Sequence, residues 1–328
     1  VLAKIKGEYQ NFKKQNPENS ANPAYKYYLE VVPKLFTLTQ LKHSRLFQKD
    51  GQTVEDILKK ILDENKIDYE LNIKNPKLFN ADISIQYNET DFDYFNRLIK
   101  LCGLYYFFKH EKDKHIMIIS NQNNSYYDLE GKLNQFIDDK MGIHRLYHIS
   151  SEFNSYNSNF EVNSFSYPKF EDLIKKSYSN KAHSNQDASS SISDVAVYVD
   201  EVKDVNQISR LIEDFGRSAQ TESELIKGSS SYPSFAIGGK FKLEGKFFDN
   251  MNQKDYVITG LQFKVSDYDS KNQQYVNEFT AIPKEVVFIS SKPATQKPLS
   301  TGLHFALVVD KEGRSEEHTS ELQSPLNI

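Results

Sequence analysis

Most of the chain reads as short alternating apolar and polar runs, broken by three stretches of helical spacing. Residues 25–39, YKYYLEVVPKLFTLT, alternate and are rich in Tyr, Val, Leu and Thr. That pattern predicts strands, with Pro33 as a break or an edge position. Thr53 then precedes Val54, Ile57, Leu58, Ile61 and Leu62. This i, i+3, i+4, i+7, i+8 series predicts an amphipathic helix. Thr53 and Asp56 imitate a capping box, with Asp in place of the usual Glu. Residues 83–87 predict a short strand. Thr90 opens a second helix with Asp91 and Asp93 in its first turn, where the helix dipole favours negative charge. Its apolar stripe is Phe92, Phe95, Leu98, Ile99 and Cys102, and Gly103 stops it. LYYFFKH (104–110) and HIMIIS (115–120) flank EKDK and predict a hairpin.

Further on, Asn159 to Tyr167 is an aromatic strand candidate. Lys181 to Ser193 is rich in Ser, Asn and Asp and predicts a loop. Asp204 begins a third helix, with Val205, Ile208, Leu211, Ile212 and Phe215 on one face. Strands are expected at 235–248, 254–267 and 274–282. Pro293 and Pro298 punctuate a linker, and His304 to Val309 reads as the first strand of a further domain. Many short strands with few helices, rather than regular strand–helix alternation, predict an α+β protein with β-barrel-like units.

The composition narrows the class. The chain has 328 residues, room for two or three domains. Apolar residues make up 38% and charged residues 26%, as in globular proteins. With 22 Phe, 20 Tyr and no Trp, the aromatic balance suits pleated surfaces. One cysteine, Cys102, cannot form an internal disulfide. No run approaches the roughly 20 apolar residues that span a bilayer, and no signal peptide is visible. The first residue is Val1, so the natural N-terminus is expected to be missing. A net charge of −4 is too mild to point to nucleic acid. Residues 314–328, RSEEHTSELQSPLNI, resemble the in-frame translation of a short-read sequencing adapter. They are excluded from fold reasoning as an assembly scar. They carry one Arg and three Glu, so the remainder carries −2. On the same ground, His318 with Glu316 and Glu317 is rejected as a metal site.

Catalytic signatures are missing. No GxSxG elbow, Walker A loop, HExxH or CxxC occurs. Gly228 and Gly238–Gly239 are expected in loops, outside a strand–glycine–helix context. His110 and His115 flank a hairpin turn with Glu111 and Asp113, residues that a solvated turn supplies without metal. His144 and His148 are four apart but lack the accompanying glutamate. Cys102 on an apolar helix face is expected to be a small buried hydrophobe. Glu89, Asp91 and Asp93 offer paired carboxylates, but their place at a helix start accounts for them. The expectation is therefore no catalytic residue, no cofactor and no metal.

Several stretches, in order, resemble the VgrG family of type VI secretion tip proteins. YLEVVPKLFTLTQLKHSRLFQ (28–48) is similar to that family's strand, "VP" step, "LxLT" run and "SRxFQ". The helix TVEDILKKIL follows in place. IQYNETDFDYFNRLIKLCGLYYFFKHE (85–111) resembles the family's most specific block, "QYxExDFxFxxRLxExxGIYYFFxHE". IKGSSSYPSFAIGGKFKLEG (226–245) and KPLSTGLHFALVVDKEG (297–313) resemble a later element and the start of an OB-fold domain. Asn88, Thr90, Leu101–Cys102 and Phe36 depart from the family pattern without disturbing its apolar positions.

The resemblance implies a fold like the baseplate hub of contractile phages: two β-barrel-like domains with an inserted helix and hairpin subdomain. The implied division is 1–49 and 126–170 for the first barrel, 50–125 for the insertion and 171–290 for the second barrel. Residues 291–313 would be a linker and the start of a truncated OB domain. It further implies a non-enzymatic homotrimer that joins a hexameric tube protein and baseplate components to a puncturing needle. Effector and needle-tip proteins would be partners, nucleic acid would not, and the target membrane would be met only by puncture. Such a spike is assembled in the bacterial cytoplasm and then expelled. A contractile-phage baseplate hub and a cell-wall hydrolase are the alternative readings.

Overall fold

The computed structural model describes residues 2–10, 24–47, 53–75, 84–129, 135–136, 146–154, 159–166, 169–179, 195–198, 205–243, 254–266 and 274–289. All of them lie in the compact unit Val1–Gln296. The expected loop at 181–193, the linker prolines, the 304–309 strand, His144 and residues 314–328 fall outside the described residues.

In chain order the strands begin with β1 (Leu2–Gln10), β2 (Ala24–Val31) and β3 (Lys42–Phe47). Helix α1 (Val54–Glu64) follows, then β4 (Tyr69–Asn72), β5 (Ser84–Thr90) and α2 (Asp91–Leu101). Next come β6 (Tyr105–His110), β7 (His115–Ser120), β8 (Tyr127–Asp128), β9 (Gln135–Phe136) and β10 (Leu146–Phe153). The order continues with β11 (Asn159–Ser166), β12 (Lys169–Ser179), β13 (Val195–Tyr198) and α3 (Val205–Ser223). It closes with β14 (Glu224–Ser230), β15 (Gly239–Leu243), β16 (Asp255–Ser266) and β17 (Gln274–Pro283).

The architecture is α+β and mostly sheet. A seven-stranded sheet runs β10-β14-β17-β16-β15-β8, with β9 also on β15. A three-stranded sheet, β12-β11-β13, carries α3, whose Ile208, Ile212 and Phe215 pack with Phe160 and Val162. A further group of elements comprises the β4-β7-β6 sheet, the β3-β5 ribbon, α1 and α2. Among the described residues no pairing closes the large sheet into a barrel. Strands from 127–153 and from 224–283 share that sheet.

Local chemistry explains these elements. The Thr53 hydroxyl accepts from the Asp56 N–H at 3.2 Å, and the Asp56 carboxylate accepts from the Thr53 N–H at 2.9 Å. That is the expected capping box, and Thr53 holds the Asp56 carboxyl below its ordinary value. All five predicted apolar residues of α1 are buried. Burying each contributes about 1.5–3 kcal/mol before entropy is counted. In α2 the buried face is Tyr94, Phe95, Leu98, Ile99 and Cys102, while Phe92 is only partly covered. Tyr94 was hidden from the stripe by its polar tip, which pairs with Ser84 Oγ at 2.8 Å and lets the ring go inside.

Two expectations need correction. The LFTLT segment is a 3-10 helix, Lys34–Thr39, rather than a strand. Behind Pro33, Phe36 N–H donates to the Pro33 carbonyl at 3.0 Å. The hydroxyls of Thr37 and Thr39 donate back three residues, at 2.8 and 2.7 Å. Leu35 and Leu38, three apart, are buried on one side, as a three-residue turn requires. Gly228 lies inside β14 and Gly239 opens β15, neither in a loop. A Cβ at Gly228 would strike the ring of Phe279, directly opposite on β17, so the glycine makes room for a core aromatic.

Candidate functional site

Helix α2 is held at both ends by buried polar groups, and these are where the chain's chemistry concentrates. At its start, the Thr90 hydroxyl accepts from the Asp93 N–H at 3.0 Å. Asp91, buried at the first helical position, accepts from Gln86 Nε2 at 2.8 Å. His43 Nδ1 lies 2.9 Å from the same oxygen, and Arg45 Nη2 lies 3.5 Å from the other. Arg45 also reaches Glu64 Oε2 at the end of α1, at 3.1 Å. The clamp therefore ties β3, β5, α1 and α2 together. Beside it, Arg97 pairs with Glu89, donates to the Ile85 carbonyl at 2.8 Å and lies over the Tyr94 ring. Burial pushes the Tyr94 phenol up to about 12.

A bulge makes this geometry possible. The β3-β5 register slips between His43 and Arg45, and Asn88 takes φ +46°. Asn is among the few residues that tolerate the left-handed region. Its N–H donates to Ser44 Oγ at 3.1 Å. Arg45, Gln86, Glu89, Asp91 and Arg97 are thus gathered in one place. They are also among the polar letters of the "SRxFQ" and "QYxExDFxFxxRL" patterns.

At its other end, α2 meets the strand-rich body. Strand β6 divides its side chains by pleat: Tyr106 and Phe108 pack towards α2, and Tyr105 and Phe107 turn outward. The outward pair joins Ile118, Tyr126 and Val257, so the β6-β7 hairpin is fastened to β16 by an aromatic seam. Phe107 rests on Gly238, whose φ of +81° suits glycine. Residues 285–289 strap across it. Tyr126 OH donates to the Val286 carbonyl at 3.3 Å and accepts from Phe288 N–H at 3.0 Å. Thr221 on α3 accepts from Ile289 N–H at 3.2 Å. Gly103, at φ +57° just past α2, faces the buried carboxyl of Asp214 on α3, and any Cβ there would overlap it.

Residues singled out by sequence fall as follows. The rings of His110 and His115 sit 6.2 Å apart across the hairpin mouth, and His115 Nε2 accepts from Lys34 N–H at 3.4 Å. Glu111 and Asp113 are exposed, and Glu111 pairs with Lys114 at 3.6 Å. His148 is exposed on β10. Among the described residues, no three His, Cys, Asp or Glu side chains gather as a metal site. Cys102 is fully enclosed, and burial pushes its thiol well above the ordinary range. Glu89, Asp91 and Asp93 belong to the cap and clamp. An open depression of about 520 Å³ on the large sheet is lined by His148, Lys227, Gln262, Glu278 and Thr280 among others. Its charged lining is mixed, Lys227 with Glu278. The sequence reading missed Arg45, Gln86 and Asp214. For Asp214 a signal existed: Asp214, Ser218 and Thr221 are buried at i, i+4 and i+7, a second, polar stripe on α3.

Comparison with known proteins places this architecture. The chain is 28% identical over 304 residues to the actin cross-linking toxin VgrG1 of Vibrio cholerae, covering 88% of this chain and 26% of that protein. It is 25% identical over 301 residues to the type VI secretion system spike protein VgrG1b of Pseudomonas aeruginosa, covering 88% and 39%. The chain thus spans about a quarter to two fifths of these relatives. The fold matches that of an E. coli component of the type VI secretion system described as similar to the T4 bacteriophage tail proteins gp27 and gp5. There the TM-score is 0.59 at 17% identity, over 96% of this chain and 70% of that one. Residues 4–269 match the model of the phage tail baseplate hub (GPD) family. The chain belongs to the phage tail baseplate hub family.

Proposed function

We propose that this chain forms the hub of a type VI secretion spike, joining the tube to the membrane-puncturing needle and carrying effectors. The observation that carries this reading is the family match over residues 4–269, together with VgrG relatives aligned over 88% of the chain. The geometry supports it. The buried polar groups around α2 fasten elements to one another. The protein works as a homotrimer without enzymatic activity of its own. Each chain supplies two strand-built units, so three chains present six to a hexameric tube protein. It assembles inside the bacterial cell and leaves with the spike. No described helix is long and apolar enough to cross a membrane.

The test is deletion of the gene from its source strain. Loss of tube protein from the culture medium, restored by the intact gene, is the expected result. Continued export of tube protein without the gene would overturn the reading. A second reading, a contractile-phage baseplate hub, is favoured by the family description and by a Shewanella oneidensis prophage tail protein of similar fold, TM-score 0.55. Loss of phage-like particles, with tube export untouched, would select it. Peptidoglycan clearing by the purified chain in a zymogram would instead support the hydrolase alternative.

A further inference from the structure

The seat where α3 meets the end of α2 holds a carboxyl in an unusual place. Asp214 is 6% exposed and lies against Gly103, the residue just beyond α2. The carboxyl therefore lies beside the C-terminal end of α2. Cys102, Gly103 and Leu104 N–H groups already satisfy Leu98, Lys100 and Ile99. The carbonyl end of a helix carries partial negative charge, which disfavours an anion and favours a hydrogen-bond donor. An ionised carboxylate only accepts, whereas a protonated one also donates. Gly103 is the one residue type that leaves room for the carboxyl and adopts the local φ.

The neighbouring charges give partial compensation. On α3, Arg217 Nη1 is 3.8 Å from Asp214 Oδ1, and Arg210 and Glu213 also act on it. From α2 the titratable neighbour is the enclosed Cys102 thiol, and Lys100 is exposed. From β12, Tyr178 senses Arg217 and Glu213. Both arginines favour the ionised form, yet burial outweighs them and raises the Asp214 carboxyl to about 6.

We propose that the seat formed by Gly103, Cys102, Arg210 and Asp214 is a proton-operated latch, which holds α3 to the end of α2 more tightly when the Asp214 carboxyl carries a proton. The sign follows from linkage. The folded chain binds this proton more tightly than the unfolded chain, whose carboxyl keeps its ordinary value of 3.8. The added stability is complete below that value and is lost as pH rises through about 6. The inserted unit and the strand-rich body are therefore coupled more firmly in acid. This holds whichever contractile machine the hub serves.

Asp214→Asn mimics the protonated carboxyl. Against wild type, its melting temperature is expected to be higher by several degrees at pH 7.5, with the gap closing at pH 4. A constant gap across that range, or a variant less stable at pH 7.5, overturns the proposal. If the variant does not fold, hydrogen exchange on the wild-type chain decides. Corrected for the intrinsic pH dependence of exchange, protection of residues 98–104 should rise severalfold, up to about tenfold, from pH 7.5 to pH 5. Unchanged or falling protection overturns the latch.

Discussion

The two ends of α2 each bury an aspartate, and they bury it on opposite terms. At the start, Asp91 sits where the helix dipole favours an anion and where Gln86, His43 and Arg45 surround it with donors. At the end, Asp214 of α3 is pressed against the carbonyl terminus, with its nearest cation 3.8 Å away. One carboxylate is the centre of a fixed clamp. The other is held in a place that suits its neutral form. The lesson is that a buried charge is defined by the dipoles and donors facing it more than by its depth.

Mutations can break this contrast, starting with the clamp. Asp91→Ala leaves Arg45, His43 and Gln86 facing one another without their shared acceptor, and removing one partner of a buried charge pair costs about 3–5 kcal/mol. Chemical denaturation should show this loss together with a lowered midpoint. Gly103→Ala adds a left-handed alanine, at about 1–2 kcal/mol, and a Cβ that displaces Asp214. The sharper form is a double-mutant cycle with Asp214→Ala: the displacement part should vanish in that background and the backbone part should remain. Thr90→Ala removes only the cap of α2, and about 1 kcal/mol should be lost by the same denaturation measurement.

How much of this was legible in sequence depended on whether the signal was periodic. The apolar residues of α1 and its capping box were readable because helical spacing and cap chemistry are local. The β6-β7 hairpin was readable from two apolar runs about a polar turn. The 3-10 helix was not, because two threonines among leucines imitate strand alternation until their hydroxyls bond back to the chain. The clamp was half visible. Asp91 marks a helix start in the sequence, but two of its partners, His43 and Arg45, lie 48 and 46 residues away on β3, and a bulge at Asn88 aligns them. Asp214 was passed over because its stripe, with Ser218 and Thr221, is polar and an apolar search skips it.

The proposed role makes the chain a building block of a ring rather than a separate working unit. Sedimentation equilibrium on the purified protein, over a wide concentration range, tests this most directly. A mass of three chains that persists on dilution is the predicted result. A single chain at every concentration would contradict it.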